Sequence, residues 1–336
     1  MRKLLSTLLL IVILAVSCNR STVFPPAGSY SDVVLVTETG KAGGVNDLII
    51  RELQHHVDYY TKMEIQFKLR MIRAFDVRQE PPTKNMVICG VVRRGETGRV
   101  IESFIGTNEV RNVLEGRTHI FKKLNYPYSG QLTVIVTASS KERLKNIIKN
   151  NGQTIRDIIE EANRERLRDY LLTKEKTEIT TRLRSQYGFT LRIPFLYEVL
   201  QEREDVPAVE IIRREPHRGI TISWQHWGKK GISLADSSKF YEIRSDLAWK
   251  MYDRDVMRRD IVFFSEDRLG PYEAIVMDGY WENSEDTFGG PFSSFFIYDR
   301  SRKRLWIVDC VVYGPGFNKH TLLRELKAVA ETFKTS

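Results

Sequence analysis

Short segments in which apolar and polar residues alternate dominate the second half of the chain. This alternation has the two-residue period of a β-strand that is buried on one side. It predicts strands at residues 208–213 and 220–226, and further strands are predicted at 272–281, 292–298 and 305–313. Two longer segments have apolar residues at helical spacing, which predicts helices over residues 238–257 and from residue 318 towards the C-terminus. We therefore expect antiparallel strands covered by helices in this half.

The first half of the chain contains a different mixture of segments. β-Branched apolar runs predict strands at residues 33–37, 86–92, 119–124 and 132–137, and helical spacing predicts a helix over residues 45–59. Ser139 and Glu142 have the spacing of a capping box, which predicts a helix that ends near residues 150–152 and is followed by a second helix to about residue 176. We predict an α+β fold, with antiparallel sheets packed against helices, in two halves at residues 32–176 and 177–336.

The N-terminal residues have the order of segments of a secretory signal peptide. Arg2 and Lys3 precede an apolar run at residues 4–16, which is too short to span a bilayer. The run ends in Leu-Ala-Val-Ser-Cys at residues 14–18, which resembles the lipobox of bacterial lipoproteins. In those proteins the peptide is cut before the cysteine, which is then acylated. The resemblance implies residues 1–17 as the signal peptide, Cys18 as the lipidated residue and residues 18–31 as a tether.

The composition excludes several classes of protein. The chain has 336 residues, and its 42% hydrophobic content is too high for an intrinsically disordered protein. Three cysteines are too few for a disulfide framework or a four-thiolate metal site. The net charge is +9, but basic and acidic residues alternate, as at residues 164–169, instead of forming one basic patch. We therefore expect no nucleic acid among the partners.

The sequence contains no motif for a metal or a cofactor. The six histidines lack the spacing that places two ligands on one helix face, and the Gly-x-Ser-x-Gly and His-Glu-x-x-His motifs are absent. The glycine cluster at residues 40–44 lacks the Gly-Lys-Ser/Thr ending of a phosphate-binding loop. Cys89 and Cys310 lie in apolar strands, which favours buried, inert thiols over a disulfide or a nucleophile. We expect no cofactor.

Two aspartates lie within predicted strands that are otherwise partly apolar. Asp278 and Asp309 each share a strand face with aliphatic residues. If neighbouring strands brought the two acids together, one could hold a raised pKa and act in acid–base catalysis, with Glu282 close by in sequence. The alternative is that each carboxylate faces solvent or pairs with an arginine. These three residues are candidate catalytic groups. The simpler expectation is that none of them is catalytic.

The segment around residues 281–292 is the best candidate for a recognition loop. Trp281 and Glu282 precede Asp286 and the turn residues Gly289 and Gly290. An exposed aromatic ring beside acidic side chains suits contact with a glycan or a peptide. The Gly-Gly-Pro sequence also suits a simple turn, because glycine adopts positive φ without strain. We predict these five residues as a binding surface.

Several short motifs after residue 278 resemble a known family. They are Gly-Tyr-Trp-Glu at residues 279–282, Gly-Gly-Pro-Phe at 289–292, Asp299, Val-Tyr-Gly-Pro-Gly at 312–316, Leu-Leu-Arg-Glu-Leu at 322–326 and Thr-Phe-Lys at 332–334. Together they resemble an uncharacterised lipoprotein family of Bacteroidota, a domain of unknown function whose members begin with a signal peptide and a lipobox. The chain departs from that family at residues 266–271, where members have a longer segment with Gly and Pro. The resemblance implies lineage and location and carries no activity.

We expect a lipoprotein that is held to the membrane of the cell envelope by its N-terminal lipid. Asn19 is not the acidic residue typical of inner-membrane retention, which favours an outer-membrane anchor facing the periplasm. The expected role is non-catalytic binding or envelope assembly, with an unidentified envelope protein or glycan as partner. The alternative is a carboxylate-dependent hydrolase acting on envelope glycan or peptide. Two of the three acids within about 6 Å in a concave pocket would favour the hydrolase.

Overall fold

The computed structural model describes residues 26–38, 44–58, 63–252, 254–283, 285 and 288–336. Cys18 and Asp286 lie outside these residues, as does most of the glycine cluster at residues 40–44. The chain divides into two compact units: residues up to Leu53 with Lys68–Ile159, and Gln54–Phe67 with Glu160–Ser336. The division falls between residues 159 and 160, within a helix, whereas the sequence predicted a boundary near residue 176.

The described residues form seventeen strands and seven α-helices. The strands are β1 (Asp32–Thr37), β2 (His56–Asp58), β3 (Met63–Ile65), β4 (Lys68–Arg73), β5 (Asn85–Val91), β6 (Ile120–Leu124), β7 (Leu132–Ala138), β8 (Phe189–Thr190), β9 (Glu198–Arg203), β10 (Ala208–Arg213), β11 (Arg218–His226), β12 (Asp255–Met257), β13 (Phe263–Leu269), β14 (Tyr272–Asn283), β15 (Gly289–Asp299), β16 (Arg304–Val312) and β17 (Lys334–Thr335). The α-helices are α1 (Val45–Leu53), α2 (Gly95–Ile105), α3 (Thr107–Leu114), α4 (Lys141–Leu171), α5 (Thr177–Tyr187), α6 (Ser237–Met251) and α7 (Lys319–Ala330). These elements confirm the predicted α+β class.

The first unit is built around a five-stranded sheet in the order β4-β1-β5-β7-β6. Strand β1 pairs in parallel with β4 and β5, and β5 pairs in parallel with β7, whereas β6 pairs with β7 in the antiparallel sense. All residues of β5 and β7 are buried, as is usual for central strands of parallel sheets, which are covered on both faces. This sheet is therefore mixed, whereas the sequence predicted antiparallel pairing.

The second unit is built around an antiparallel sheet in the order β12-β14-β15-β16-β11-β10-β9, with β13 also paired to β14. Alternate residues of each strand face opposite sides. Helix α7 covers one face, where Leu326 and Val329 pack in a cluster with Val308. Helix α6 covers the other face, where Phe240 lies 4.4 Å from Phe296 between ring centroids. Strands β10, β11, β14, β15 and β16 correspond to the five predicted strands, and α7 to the predicted C-terminal helix.

Three predicted helix limits differ from the structure. The helix predicted over residues 45–59 ends at Leu53, and the one predicted over 238–257 ends at Met251 because β12 follows. The end predicted at residues 150–152 coincides with a kink: α4 consists of two helical segments that meet at Asn151, whose dihedrals are not helical (φ −125°, ψ 16°). At the start of α4 the hydroxyl of Ser140 accepts the N–H of Arg143 at 3.2 Å, so the cap lies one residue after the predicted position.

Candidate functional site

A cavity of about 350 Å³ lies on the α6 face of the antiparallel sheet. Aromatic side chains form much of its wall: Tyr252, Trp281, Phe288 and Tyr313. Its polar groups come from strands β9 to β12, β14 and the turn before β11: Gln201, Glu210, His217, Thr221, Asp255 and Asn283. A mostly apolar cavity with a few convergent polar groups is the usual form of a small-molecule site.

Four polar residues form a row across neighbouring strands on this face of the sheet. The register pairs Glu210 of β10 with Thr221 of β11, Thr221 with Asp309 of β16, and Asp309 with Ser294 of β15. All four residues are buried. Because burying an unpaired polar group is costly, such a row requires specific partners.

Asp309 is completely enclosed and has three side-chain partners. Its Oδ2 accepts hydrogen bonds from Nη2 of Arg244 and from the hydroxyl of Tyr252, each at 3.1 Å, and its Oδ1 accepts one from the hydroxyl of Ser294 at 2.6 Å. The Arg244 guanidinium, which α6 supplies, also lies 4.0 Å from the ring centroid of Phe292. Burial and the negative charge of Asp309 raise the pKa of Tyr252 well above its usual value, so its hydroxyl stays a donor. Asp309 is thus a satisfied structural carboxylate.

Glu210 lies beside this network but has a different environment. Nε2 of Gln201 donates to its Oε2 at 2.6 Å and also lies 3.1 Å from the carbonyl oxygen of Met251. Burial and the negative charge of Asp309 raise the pKa of Glu210, and the hydrogen bond from Gln201 opposes this only in part. Among the described residues, no lysine or arginine hydrogen-bonds to Glu210. It is therefore a buried carboxyl group with an amide as its partner.

A β-bulge and a glycine shape the cavity around Glu210. Val199 of β9 pairs with Ile211 and Gln201 pairs with Glu210, so Leu200 is an extra residue between them. The bulge places both Leu200 and Gln201 at the cavity, whereas consecutive residues of a regular strand face opposite sides.

Gly219 of β11 also lines the cavity. A Cβ atom at this position would lie 3.1 Å from Cγ2 of Ile212 and 3.9 Å from Oε1 of Glu210. The absence of a side chain therefore leaves space beside the carboxyl group of Glu210.

A domain of unknown function, DUF4837, is found at residues 176–332. All the residues that line the cavity lie within this segment. No curated protein matches the chain in sequence.

One similar solved structure is that of LpqN, which is involved in cell envelope biogenesis of Mycobacterium tuberculosis. The sequence identity is 15%, the alignment covers 44% of this chain and 83% of LpqN, and the TM-score is 0.29.

Within the described residues, none of the helices has the length and hydropathy needed to cross a membrane.

The DUF4837 segment contains the predicted binding residues, and those that the structure describes lie in strands and not in an exposed loop. Trp281 is 4% exposed, lies in β14, and donates its indole N–H to the carbonyl oxygen of Val312 at 3.3 Å. It nevertheless lines the cavity, on the face that alternation assigns to it. Glu282 faces the other side and pairs with Arg258 at 3.3 Å. The prediction of an exposed aromatic loop is therefore wrong for Trp281, although the residue belongs to the candidate site.

The two predicted binding glycines are strand residues. Gly289 and Gly290 begin β15 and pair with Glu282 and Trp281. A Cβ atom at Gly290 would lie 1.8 Å from the carbonyl oxygen of Val312, so close approach of the next strand requires a glycine there. Their role is in the sheet.

The three candidate catalytic acids do not converge. Asp278 lies on the α7 face, where Nζ of Lys327 is 3.3 Å from its Oδ1, whereas Asp309 lies on the α6 face with Arg244. Glu282 shares the Asp278 face by alternation. The arrangement that would have favoured a hydrolase through these acids is therefore not present, and the alternative of basic partners on opposite faces is what the structure shows.

Other chemical candidates give no site either. Cys89 and Cys310 are buried free thiols, and burial raises the pKa of Cys89 to about 12, which keeps it protonated. In the described part of the chain, no group of three or more His, Cys, Asp or Glu side chains could hold a metal ion.

The residues that sequence reasoning missed are the polar ones around Glu210. Glu210 occurs between aliphatic residues in β10, on the same strand face as Ala208 and Ile212, which are both buried. A carboxylate at a core-facing position was the available signal. Arg244 gave a similar signal, because it shares the buried face of α6 with Phe240 and Leu247.

Proposed function

We propose that this protein is a lipid-anchored cell-envelope lipoprotein whose C-terminal unit binds a small ligand, or a small group of a larger envelope molecule, in the cavity on the α6 face. The observation that carries this proposal is the combination of aromatic walls with buried, oriented polar groups in one cavity of about 350 Å³. The bulge at Leu200 and the glycine at residue 219 both contribute to that space.

The hydrogen bonds at the cavity favour binding over catalysis. The amide of Gln201 is held by Glu210 and by a backbone carbonyl, and the amide of Asn283 donates to Asp255 at 2.9 Å. Groups fixed in this way can orient a ligand at little entropic cost. Asp309 is already occupied by Arg244, Tyr252 and Ser294, and Asp278 lies on the other face. The cavity therefore uses its polar groups for recognition.

The proposed anchor rests on the N-terminal sequence. Small residues lead directly into Cys18 at the end of the apolar run, as in a lipobox. One acyl chain gives only marginal membrane binding, whereas two or more chains on one cysteine retain a protein stably. The proposed location is the outer membrane, with the protein facing the periplasm, where an envelope glycan or protein would supply the ligand.

The cavity is tested by recovering its ligand. Full-length protein is purified from its native membranes in mild detergent, denatured, and its small molecules are identified by mass spectrometry. Val311→Phe adds a larger side chain to the lining of the cavity, and Val256→Phe makes the same change at a position that is 41% exposed. We expect a ligand from the wild type and from Val256→Phe, and at least tenfold less from folded Val311→Phe. Equal recovery from both variants, or no ligand from the wild type, would contradict the proposal.

The anchor is tested by labelling with radioactive palmitate and by partition into Triton X-114. We expect label and detergent-phase partition for the wild type and for Cys89→Ala, and neither for Cys18→Ala. Labelled Cys18→Ala protein would refute the anchor.

A further inference from the structure

We infer that the ligand of this cavity carries an organic cation, such as an ammonium group, for which the carboxylate of Glu210 is the counter-ion. The inference rests on the proposed function in one respect: the cavity must hold a ligand. It adds the chemical class of that ligand.

The charge of the cavity lining favours a cationic ligand. Glu210 and Asp255 bring two carboxyl groups, and no lysine or arginine is among the described residues that line the cavity. His217 lies at the rim, where partial burial and the nearby charge of Arg214 lower the pKa of its imidazole and favour the neutral ring. Among the described lining residues, no basic side chain neutralises the carboxyl group of Glu210, which disfavours an anionic ligand.

Glu210 differs from other enclosed carboxylates of the same unit. Three of them pair with an arginine: Asp309 with Arg244, Glu160 with Arg324, and Glu325 with Arg218. Another, Glu64, accepts the backbone N–H groups at the start of α7, where the helix dipole is positive. Among the residues that the structure describes, the one side-chain hydrogen-bond partner of Glu210 is the neutral amide of Gln201. Because a buried carboxylate requires a partner to stay ionised, a cationic ligand would supply the one that Glu210 lacks.

The aromatic side chains that line the cavity also suit a cation. Phe288 lies 6.0 Å from Trp281 and 5.2 Å from Tyr313 between ring centroids, and Tyr252 lines the cavity as well. The faces of such rings attract cations, most strongly where water is excluded. The same face of the sheet already contains such contacts, between Arg244 and the rings of Phe292 and Tyr252. Aromatic rings together with a carboxylate form the usual environment of a bound ammonium group.

The inference is tested with a pair of probes that differ in charge and hardly in shape. Choline and its neutral isostere 3,3-dimethyl-1-butanol are titrated at pH 8 into the full-length protein in nonionic detergent, with N-acetylglucosamine as a neutral sugar, and binding is followed by calorimetry. Glu210→Gln removes the charge and keeps the shape. Asp278→Asn is the matched acid-to-amide control on the opposite face of the sheet.

We expect choline to bind at least tenfold more tightly than the isostere, Glu210→Gln to lose at least tenfold in choline affinity, and Asp278→Asn to stay within twofold of the wild type. The inference is overturned if choline does not bind, if the isostere or the sugar binds equally well, or if Glu210→Gln binds choline like the wild type. A membrane-derived ligand without a cationic group overturns it too, while leaving the cavity's binding function in place. Failure of the Val311→Phe comparison overturns the binding function itself.

Discussion

The guanidinium of Arg244 and the carboxylate of Asp309 form an ion pair at 3.1 Å in which both side chains are 0% exposed. The pair links the middle of α6 to the central strand β16, between two apolar layers. Taking both charges out of water is expensive, so the pair stabilises the fold only as long as both partners are present.

Removal of one partner from this pair should be costly. We expect Arg244→Met to lower the free energy of unfolding by about 3–5 kcal/mol, because Asp309 is left buried without its cation. The double variant Arg244→Met/Asp309→Leu should recover most of the loss. Chemical denaturation measures both changes. Lys327→Met is the control, since its pair with Asp278 is 27% and 46% exposed and should contribute less than about 1 kcal/mol. Equal losses of unfolding free energy for Arg244→Met and Lys327→Met would show that the buried pair does not contribute more to stability than the exposed one.

Glu210 should make stability fall as the pH rises. Its pKa in the folded protein lies above the ordinary 4.5, so the folded state keeps a proton that the unfolded chain has already lost. The resulting stabilisation is present below pH 4.5 and is lost as the pH rises through the folded pKa. Glu210→Gln has no carboxyl group to ionise. Its melting temperature relative to that of the wild type should therefore increase between pH 4 and pH 7. A constant difference between the two proteins over this range would disprove the assignment.

Glu160 should have the opposite pH dependence. Burial would raise its pKa, but the positive charge of Arg324 and the hydrogen bonds from His320 and Arg324 hold it well below 4.5. Its contribution is therefore present above pH 4.5 and is lost as the pH falls through the folded pKa. Glu160→Gln should cost about 3 kcal/mol or more at pH 7, because Arg324 remains buried, and progressively less in acid. Unfolding curves at several pH values measure this, and a cost that stays constant into acid would argue against it.

Gly290 should tolerate no side chain. The carbonyl oxygen of Val312 occupies the position of a Cβ atom, so Gly290→Ala must push β15 and β16 apart. We expect a loss of at least about 1–3 kcal/mol, the usual range for overpacking, in thermal or chemical unfolding. Gly228→Ala is the control, since no atom lies within 4 Å of its added methyl group. Similar stabilities of the two variants would mean that the strands adjust freely.

The strands of the second unit were predictable because they are rich in aliphatic and aromatic residues, although the central strands are buried on both faces. The parallel pairing of β5 and β7 was not predicted, although their continuous apolar runs were a signal of burial on both faces. Helices α2 and α3 were missed. They are short, and Gly95 and Gly106 at their starts have positive φ, so glycine marks a helix start here where we associated it with loops.

The candidate site was less predictable than the fold. Trp281 was selected for its neighbours in sequence, yet its role depends on which face of β14 it occupies. The significance of Glu210 depends on its surroundings in space, where no lysine or arginine of the described residues hydrogen-bonds to it and where the neighbouring strands are β9 and β11. Local periodicity specifies which side of a strand a residue faces, but it does not specify which strands are neighbours.

The bulge in β9 makes the shape of the cavity depend on a single inserted residue. Leu200 is the extra residue between two pairs that are in register on either side. Deletion of Leu200 would make the pairing of β9 with β10 regular. Gln201 would remain opposite Glu210, and the cavity would lose the side chain of Leu200 from its wall. A related gene that lacks the codon for Leu200 would therefore encode the same sheet with a cavity of a different shape.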